Sequence, residues 1–299
     1  MKKFRFYQPT KIHFGSEGLL EVGNIVRRYG TKCLLVSTSR YGRLKPVYDK
    51  VKDYLMKGGI EFFHYDEVVP NPTTEIVDKG VEIAVKNNVD VVVGIGGGSA
   101  MDTAKIVALS SGNGKVDWNM FFTEYTDPFE DYEAPSDNVL PVICVSTTSG
   151  TGSQVTQAAV ITDRIKKDKV TVFHPLCFPK ECIVDPQIMM SLPNDITAST
   201  AFDAFSHAFE AYINPRASVY TEQLSIESIK IVAKYLPRVL KENSIEAREK
   251  LAWADTMAGI CLSNAGASIP HPLGEIIGGV CEKIAHGQTL AIVYPEFVR

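Results

Sequence analysis

Over the first 190 residues, short apolar runs alternate with stretches whose apolar residues recur every three or four positions. The runs are CLLVST (33–38), IEFFHYD (60–66), DVVVGI (90–95), LPVICVS (140–146) and CIVDP (182–186). Their length and their Val, Ile and Leu content predict buried strands, with PTKIHFG ahead of them as a further short one closed by a turn at Gly15. Between them, residues 16–29, 45–57 and 74–87 carry helical periodicity. Uninterrupted apolar strands separated by amphipathic helices predict crossover units on a parallel sheet, a doubly wound α/β domain. Residues 154–163 and 169–173 predict additional strands, whereas 117–138 is acidic, aromatic and without a regular period, and predicts a surface excursion.

Near residue 190 the period changes. From there the chain predicts helices only, so the expected organisation is an α/β domain over 1–190 and an all-α domain over 191–299. Thr197 to Asn214 is the first of these helices, with Asn194 or Asp195 as its cap and Pro215 beyond its end. Phe202, Phe205, Phe209 and Tyr212 recur along it at helical spacing and predict a buried stripe. Residues 218–242 carry Leu224, Ile229, Val232 and Leu236 on one face, and 245–262 carry Leu251, Ala254, Ala258 and Cys261.

Composition narrows the function classes. A length of 299 residues suits about two domains, and 45% hydrophobic with 22% charged residues is the balance of a soluble globular protein. The formal net charge of -4 comes with no basic stripe, so nucleic acid is not an expected partner. No apolar run reaches the roughly 18–20 residues of a membrane span, and the polar opening MKKFRFYQPT lacks a signal peptide's apolar core. A cytoplasmic protein without a membrane partner is expected. The six cysteines are scattered and form no CxxC, which suits reduced, packed thiols.

Two turns and three histidine-bearing segments carry candidate chemistry. GIGGGSAMDTAK (94–105) follows a strand and opens a helix, where glycines let backbone N–H groups approach a phosphate; a tight packing turn explains them equally well. STTSGTGSQ (146–154) adds a second turn rich in hydroxyls after another strand, and two such turns together favour an anionic ligand in the sheet crevice. Asp203 and His207 are four apart and project from one side of a helix, where they can share a cation or simply pair at its surface. His271 stands early in an apolar element, and His286 just before Gly287 and the run Leu290 to Tyr294. Asp203, His207, His271 and His286 together supply three imidazoles and one carboxylate, a mixture suited to Fe(II) or Zn(II). His13 reads as structural, and neither His64 nor His174 has a comparable setting.

PNPT (70–73), GGGSAMDTAK, STTSGTGSQVT, IVDP, FDAFSHAFEAY, SNAGASIPHPLG and AHGQTLAIVYP occur in one order through essentially the whole chain. In these motifs the sequence resembles the iron-containing alcohol dehydrogenases. The resemblance implies an N-terminal dinucleotide-binding α/β domain and a C-terminal helical domain, with a divalent metal and the nicotinamide in the cleft between them. By motif position it implies Asp203, His207, His271 and His286 as metal ligands, Gly97, Gly98 and Ser99 as the pyrophosphate turn, and Asp102 as a neighbouring polar contact. Asn71, Thr147, Thr148, Thr151 and Lys169 fall where other cofactor contacts are expected.

Three departures from the family pattern add expectations. Many members carry a second histidine one turn after the ligand matched by His271; this chain has Glu275, so His271 and Glu275 are the positions assigned to catalysis. Members selecting NAD often place an aspartate after the first strand of the fold, where this chain reads Thr38, Ser39, Arg40. Ser39 beside Arg40 suits a 2'-phosphate, so NADP(H) is favoured over NAD(H). Typical members continue through further helices, so an incomplete helical domain with an uncovered Leu290 to Tyr294 run is expected, and with it self-association into a homo-oligomer such as a dimer. The implied reaction is reversible oxidation of a small primary alcohol to an aldehyde. A polyol dehydrogenase or sugar-phosphate lyase on the same architecture is an alternative, as is a non-catalytic nucleotide-binding relative.

Overall fold

The apolar runs become strands, the central ones over Lys32–Thr38, Val91–Gly96, Val142–Ser146 and Glu181–Val184 buried on both faces and the edge strands only partly covered. In the computed structural model, which describes residues 2–281 and 284–299, the chain runs β1 (Lys11–Phe14), α1 (Val22–Arg27), β2 (Lys32–Thr38), α2 (Lys45–Lys57), β3 (Glu61–Val68), α3 (Thr74–Lys86), β4 (Val91–Gly96) and α4 (Gly98–Ser110). It continues through α5 (Trp118–Thr123), β5 (Val142–Ser146), β6 (Ala158–Asp163), β7 (Asp168–Phe173) and β8 (Glu181–Val184). A six-stranded sheet has the order β1-β8-β5-β4-β2-β3 and every pairing in it is parallel. Helices α1 and α2 pack together, as do α3 and α4, and right-handed crossovers put the two pairs on opposite faces. Each fully buried Val or Leu of β2 and β4 contributes about 1.5–3 kcal/mol relative to exposure.

The strand order fixes where a ligand can sit. From β2 the chain moves outward through α2 to β3, whereas from β4 it moves the other way through α4 to β5. The switch point therefore lies between the carboxyl ends of β2 and β4, where the flanking loops diverge and leave a crevice.

Two local expectations change, and the structural reading of His13 gains a partner. Strand β6 begins at Ala158, later than expected, because Ser153–Val155 forms a tight 3-10 turn; β6 and β7 pair antiparallel with each other, apart from the main sheet. The 117–138 excursion is anchored by aromatic packing: Phe121 and Tyr125 are buried, and Tyr125 meets Tyr132 and His174 at ring distances of 5.0 and 4.9 Å. His13 meets Glu181 at 2.5 Å, and Arg28 and Tyr29 complete that buried carboxylate's hydrogen bonds.

The remaining helices are α6 (Asn194–Ile213), α7 (Val219–Lys241), α8 (Ile245–Ala265), α9 (Pro270–Val280) and α10 (His286–Phe297). Among the described residues no helix is long and apolar enough to cross a membrane. Neither Asn194 nor Asp195 caps α6, whose N-cap is Pro193. The aromatic stripe of α6 is only partly buried. Its fully buried side holds Ala201, Ala204, Ala208 and Ala211, small enough to let α7 and α8 close in, while the rings of Phe202, Phe205 and Phe209 meet Tyr294 of α10. Of the run expected to lack a cover, Leu290 and Tyr294 are buried and Ile292 stays exposed.

The helical part is joined to the sheet at the turn after β5. Gly152 has φ 62°, and a Cβ there would lie 2.5 Å from the Cα of Gly259 in α8, so the two backbones touch only because both residues are glycine. Asp255 of α8 accepts from Gly152 N at 2.9 Å and from Gln154 Nε2 at 2.8 Å. Buried Arg248 donates to Asn243 Oδ1, Thr197 Oγ1 and the Leu192 carbonyl, tying the start of α6 to α8.

Burial pushes the Asp255 pKa from its ordinary 3.8 up to about 7. Between those values the folded chain holds a proton that the unfolded chain has lost, so this group removes stability as pH rises across that window. Asp255→Asn abolishes the charge, and Gln154 Oε1, buried without a partner, can turn to accept from the new amide. The variant is expected to unfold at a higher temperature than the parent at about pH 8 and to lose this part of the decline. Thermal unfolding from about pH 4 to 8 checks it, and a variant that is less stable at the upper end refutes it.

Candidate metal centre and cofactor cleft

One turn of α6 separates Asp203 from His207, while α9 brings His271 and the first residue of α10 is His286. Gly287 makes the last arrival possible: a Cβ there would fall 1.9 Å from the Ser199 carbonyl oxygen, so only glycine lets α10 start against α6. The Nε2 atoms of His207, His271 and His286 lie 3.6, 3.5 and 3.7 Å from Asp203 Oδ1. Donor atoms of Asp203, His207 and His271 all lie within 4.8 Å of one another, and His286 joins them through its approach to Asp203.

The donors fit a divalent cation. Asp203 Oδ1 and His271 Nε2 are buried and accept or donate no hydrogen bond, a costly state for two polar atoms unless a third party satisfies both. Tetrahedral bonds of about 2.1 Å space ligand atoms about 3.4 Å apart, close to the separations here. Three nitrogens and one carboxylate oxygen form a borderline donor set, suited to Fe(II) or Zn(II).

The rings are oriented from behind. His207 Nδ1 donates to the Gly150 carbonyl at 3.1 Å and His271 Nδ1 to Glu210 Oε1 at 2.7 Å, which leaves both Nε2 atoms for the centre. Glu210 is fully buried and also accepts from Ser268 N at 2.8 Å and Tyr294 Oη at 3.1 Å. Reading the sequence for ligands misses Glu210. Its signal was present, because Asp203 and Glu210 are seven apart and therefore share a helix face. Burial alone would raise the Asp203 pKa, but the imidazoles of His207, His286 and His271 hold it well below the usual carboxylate range. Burial also opposes charge on His271, yet Asp203 and Glu210 outweigh it and push that pKa up to about 10. His286, with no such partner behind it, is pushed down by burial to about 3.

A cleft of about 540 Å³ opens from this cluster toward the sheet and is lined by Asn71, Gly98, Ser99, Thr151, Lys169 and Glu275 among others. Asn71 holds a left-handed turn, φ 54°. The two glycine-rich turns meet face to face: a Cβ on Gly97 would lie 3.2 Å from Thr148, and one on Gly98 would lie 2.9 Å from Thr151. The N-terminus of α4 has no side-chain cap, and Thr147 Oγ1 and Thr148 Oγ1 are buried without partners. Uncapped helix N–H groups beside unsatisfied hydroxyls, where any side chain would fill the space, fit a pyrophosphate. Asp102 lines the cleft too, but its oxygens are taken by Ser153 Oγ at 2.6 Å and Val160 N at 3.0 Å, which pins β6 and the second turn to α4. Glu275 Oε1 accepts from Thr171 Oγ1 at 3.0 Å. Burial raises the Glu275 pKa and lowers that of Lys169, and each group's charge partly counters the other's shift. Ser39 is exposed on the turn after β2. Arg40 beside it is not free: its guanidinium is bonded to Asp66 at the end of β3, both contacts at 2.5 Å.

These contacts predict two graded losses. His271→Ala removes a donor and should release most of the metal at modest chelator concentration while the α/β half stays folded. Glu210→Gln keeps one acceptor for His271 Nδ1 but sets its amide against Ser268 N–H, and metal affinity should fall about 10–100-fold. Chelator competition with metal analysis measures both. Parent-like retention in His271→Ala excludes the cluster as the metal site, and in Glu210→Gln it reduces Glu210 to packing.

Comparison with known proteins follows this geometry. Residues 9–186 match the family model of the iron-containing alcohol dehydrogenases, and 197–299 match the model of that family's C-terminal region. The NAD-dependent methanol dehydrogenase of Bacillus methanolicus is 33% identical over 292 residues, which are 97% of this chain and 74% of that protein. Alcohol dehydrogenase 4 of Schizosaccharomyces pombe is 36% identical over 96% of this chain, which spans 66% of it. Among solved structures, the alcohol dehydrogenase ADH/D1 from an archaeal halo-thermophile of a Red Sea brine pool superposes with a TM-score of 0.89 at 37% identity, over 98% of this chain and 74% of that one. A 1,3-propanediol oxidoreductase superposes at 0.90 with 29% identity, over 100% and 76%. Matched in both halves and superposed along nearly its whole length, the chain belongs to the iron-containing alcohol dehydrogenase family.

Proposed function

We propose that this chain transfers hydride reversibly between a small primary alcohol and a nicotinamide dinucleotide, using Fe(II), or Zn(II), held by Asp203, His207, His271 and His286. The observation that carries the proposal is one shared cleft: the unsatisfied donors of Asp203 and His271 open into the same cavity as the uncapped α4 terminus. A bound divalent cation supplies Lewis-acid polarisation of a substrate oxygen, and the dinucleotide supplies the hydride acceptor.

The chain's own residues bind, orient and handle the proton. Gly97, Gly98 and Ser99, with Thr148 and Thr151 facing them and Thr147 bonded to Gly96 through its backbone, would hold the pyrophosphate. Asn71, Asp102 and Lys169 line the cleft between this turn and α9 and would contact the rest of the dinucleotide. Residues of β7 and α9 line the cavity and would limit bulk water at the reacting atoms. Glu275 replaces the histidine usual in the family and takes up the alcohol proton at Oε2, the oxygen that Thr171 leaves open. Thr171 and Glu275 also offer polar contacts to a second hydroxyl, which supports a diol as the alternative substrate class.

Ser39 beside Arg40 was the basis for favouring NADP(H). The commitment of Arg40 to Asp66 withdraws that support, and relatives carry names such as NAD-dependent methanol dehydrogenase and NADH-dependent butanol dehydrogenase A. A homo-oligomer belongs to the same proposal, because Ile276, Val280 and Ile292 on α9 and α10 are exposed apolar surface that self-association would cover. Free thiols, all buried except Cys281, suit the reducing cytoplasm.

The metal-loaded chain should oxidise NADH or NADPH with short aldehydes, and lose this activity on chelation. Comparing 1-propanol with 1,3-propanediol and glycerol separates the simple alcohol from the polyol reading. Glu275→Gln should lower kcat about 100-fold or more while metal content is retained, and Glu275→His should keep most of the parent rate. Equal activity of parent and Glu275→Gln removes Glu275 from the proton's route.

A further inference from the structure

Arg40 and Asp66 stand at the carboxyl ends of the neighbouring parallel strands β2 and β3. Arg40 backbone N and Nε both donate to Asp66 Oδ2, at 3.1 and 2.5 Å, and a terminal guanidinium nitrogen donates to Oδ1 at 2.5 Å. The same nitrogen reaches the His64 carbonyl at 3.4 Å. Each carboxylate oxygen is thus engaged, in the bidentate form that gives the strongest arginine pairs. The pair is half exposed at the rim, not buried in the core, with side-chain exposures of 42% and 14%. Packing does not demand it.

Its location gives it a use. A dinucleotide with its pyrophosphate on Gly97 to Ser99, after β4, extends its adenosine half along the strand ends across the switch point, so that the ribose 2' position meets the turn after the adjacent β2. A 2'-hydroxyl needs one neutral hydrogen-bond partner there, and Ser39 is exposed at that place. A 2'-phosphate needs a cation. Arg43, the other basic residue of the turn, lines a separate groove with Glu17 and Lys50. Arg40 is the cation in position, and its charge is already matched.

We propose that Asp66 sets the dinucleotide preference of this chain by holding Arg40 away from the ribose 2' position. NAD(H) is then bound at least as tightly as NADP(H), and removing the Asp66 carboxylate hands the guanidinium to the 2'-phosphate. The proposal rests on the dinucleotide reading of the cleft given above. Residue 39 alone cannot predict the preference, because the acid that governs it comes from the next strand.

The test is the Kd of NADH and of NADPH for the metal-loaded chain, read from nicotinamide fluorescence, in the parent, Asp66→Asn, Asp66→Ser, Arg40→Met and the double variant Asp66→Asn/Arg40→Met. In Asp66→Asn the ratio of the NADPH Kd to the NADH Kd should fall about tenfold or more. Asp66→Ser should do the same, and covers the case in which Asn misfolds or keeps hold of Arg40. In the double variant the gain should disappear. A ratio unchanged in both single Asp66 variants overturns the proposal. So does a gain that survives the loss of Arg40, which would come from deleting a negative charge and not from freeing the guanidinium. A parent that already binds NADPH far more tightly than NADH overturns the role of Asp66 and leaves the dinucleotide reading standing. A parent that binds neither overturns that reading, and the selector with it.

Discussion

A buried carboxylate is tolerated in a protein interior only beside groups that offset its charge, and Asp203 depends on the groups gathered around its Oδ1. Three imidazole edges face its Oδ1 at distances too long for good hydrogen bonds. Much of the helical half follows from that arrangement. The alanine side of α6 lets α7 and α8 close in, Gly287 lets α10 begin against α6, and Glu210 fixes the one imidazole that must lean across from α9. Each feature spends packing or conformational freedom to keep four donors pointed at a common place.

The α/β half meets this centre with a different device. Backbone N–H groups at an uncapped helix start, and hydroxyls without partners, make a region that favours anions without a charged side chain. The two halves are held in register where Gly152 touches Gly259 and where Asp255 accepts from the turn after β5. That turn does double service. Its Gly150 carbonyl orients His207, and its threonines face the glycines after β4, so any shift of the joint moves both the candidate metal donors and the glycine turn at the start of α4.

Much of this was legible in the residues. Strands buried on both faces read as continuous apolar runs, and the 3.6-residue period marked the long helices, because both patterns are local consequences of which side meets the core. The donors that the fold brings together, Asp203, His207, His271 and His286, were legible as residue types, and motif order tied their segments to a family. What failed was whatever depended on neighbours distant in the chain. The aromatic stripe of α6 read as its buried face, but the buried face is the alanine one, because helix approach distance favours small residues there. Phe121 and Tyr125 look like part of a surface excursion in the sequence, but Phe121 packs on Trp118 and Tyr125, and Tyr132 and His174 close over Tyr125.

The sequence by itself determined the class of fold, the segments that carry donors and the turns able to approach a phosphate, since these depend on side-chain type and local periodicity. Only the tertiary structure decided how those groups are paired. It set Glu210 behind His271, occupied Asp102 with Ser153 and Val160, and gave Arg40 to Asp66, 26 residues further on. A pairing energy falls off over a few ångströms, and which charges come within that distance is fixed by strand order and helix packing, which no local pattern encodes.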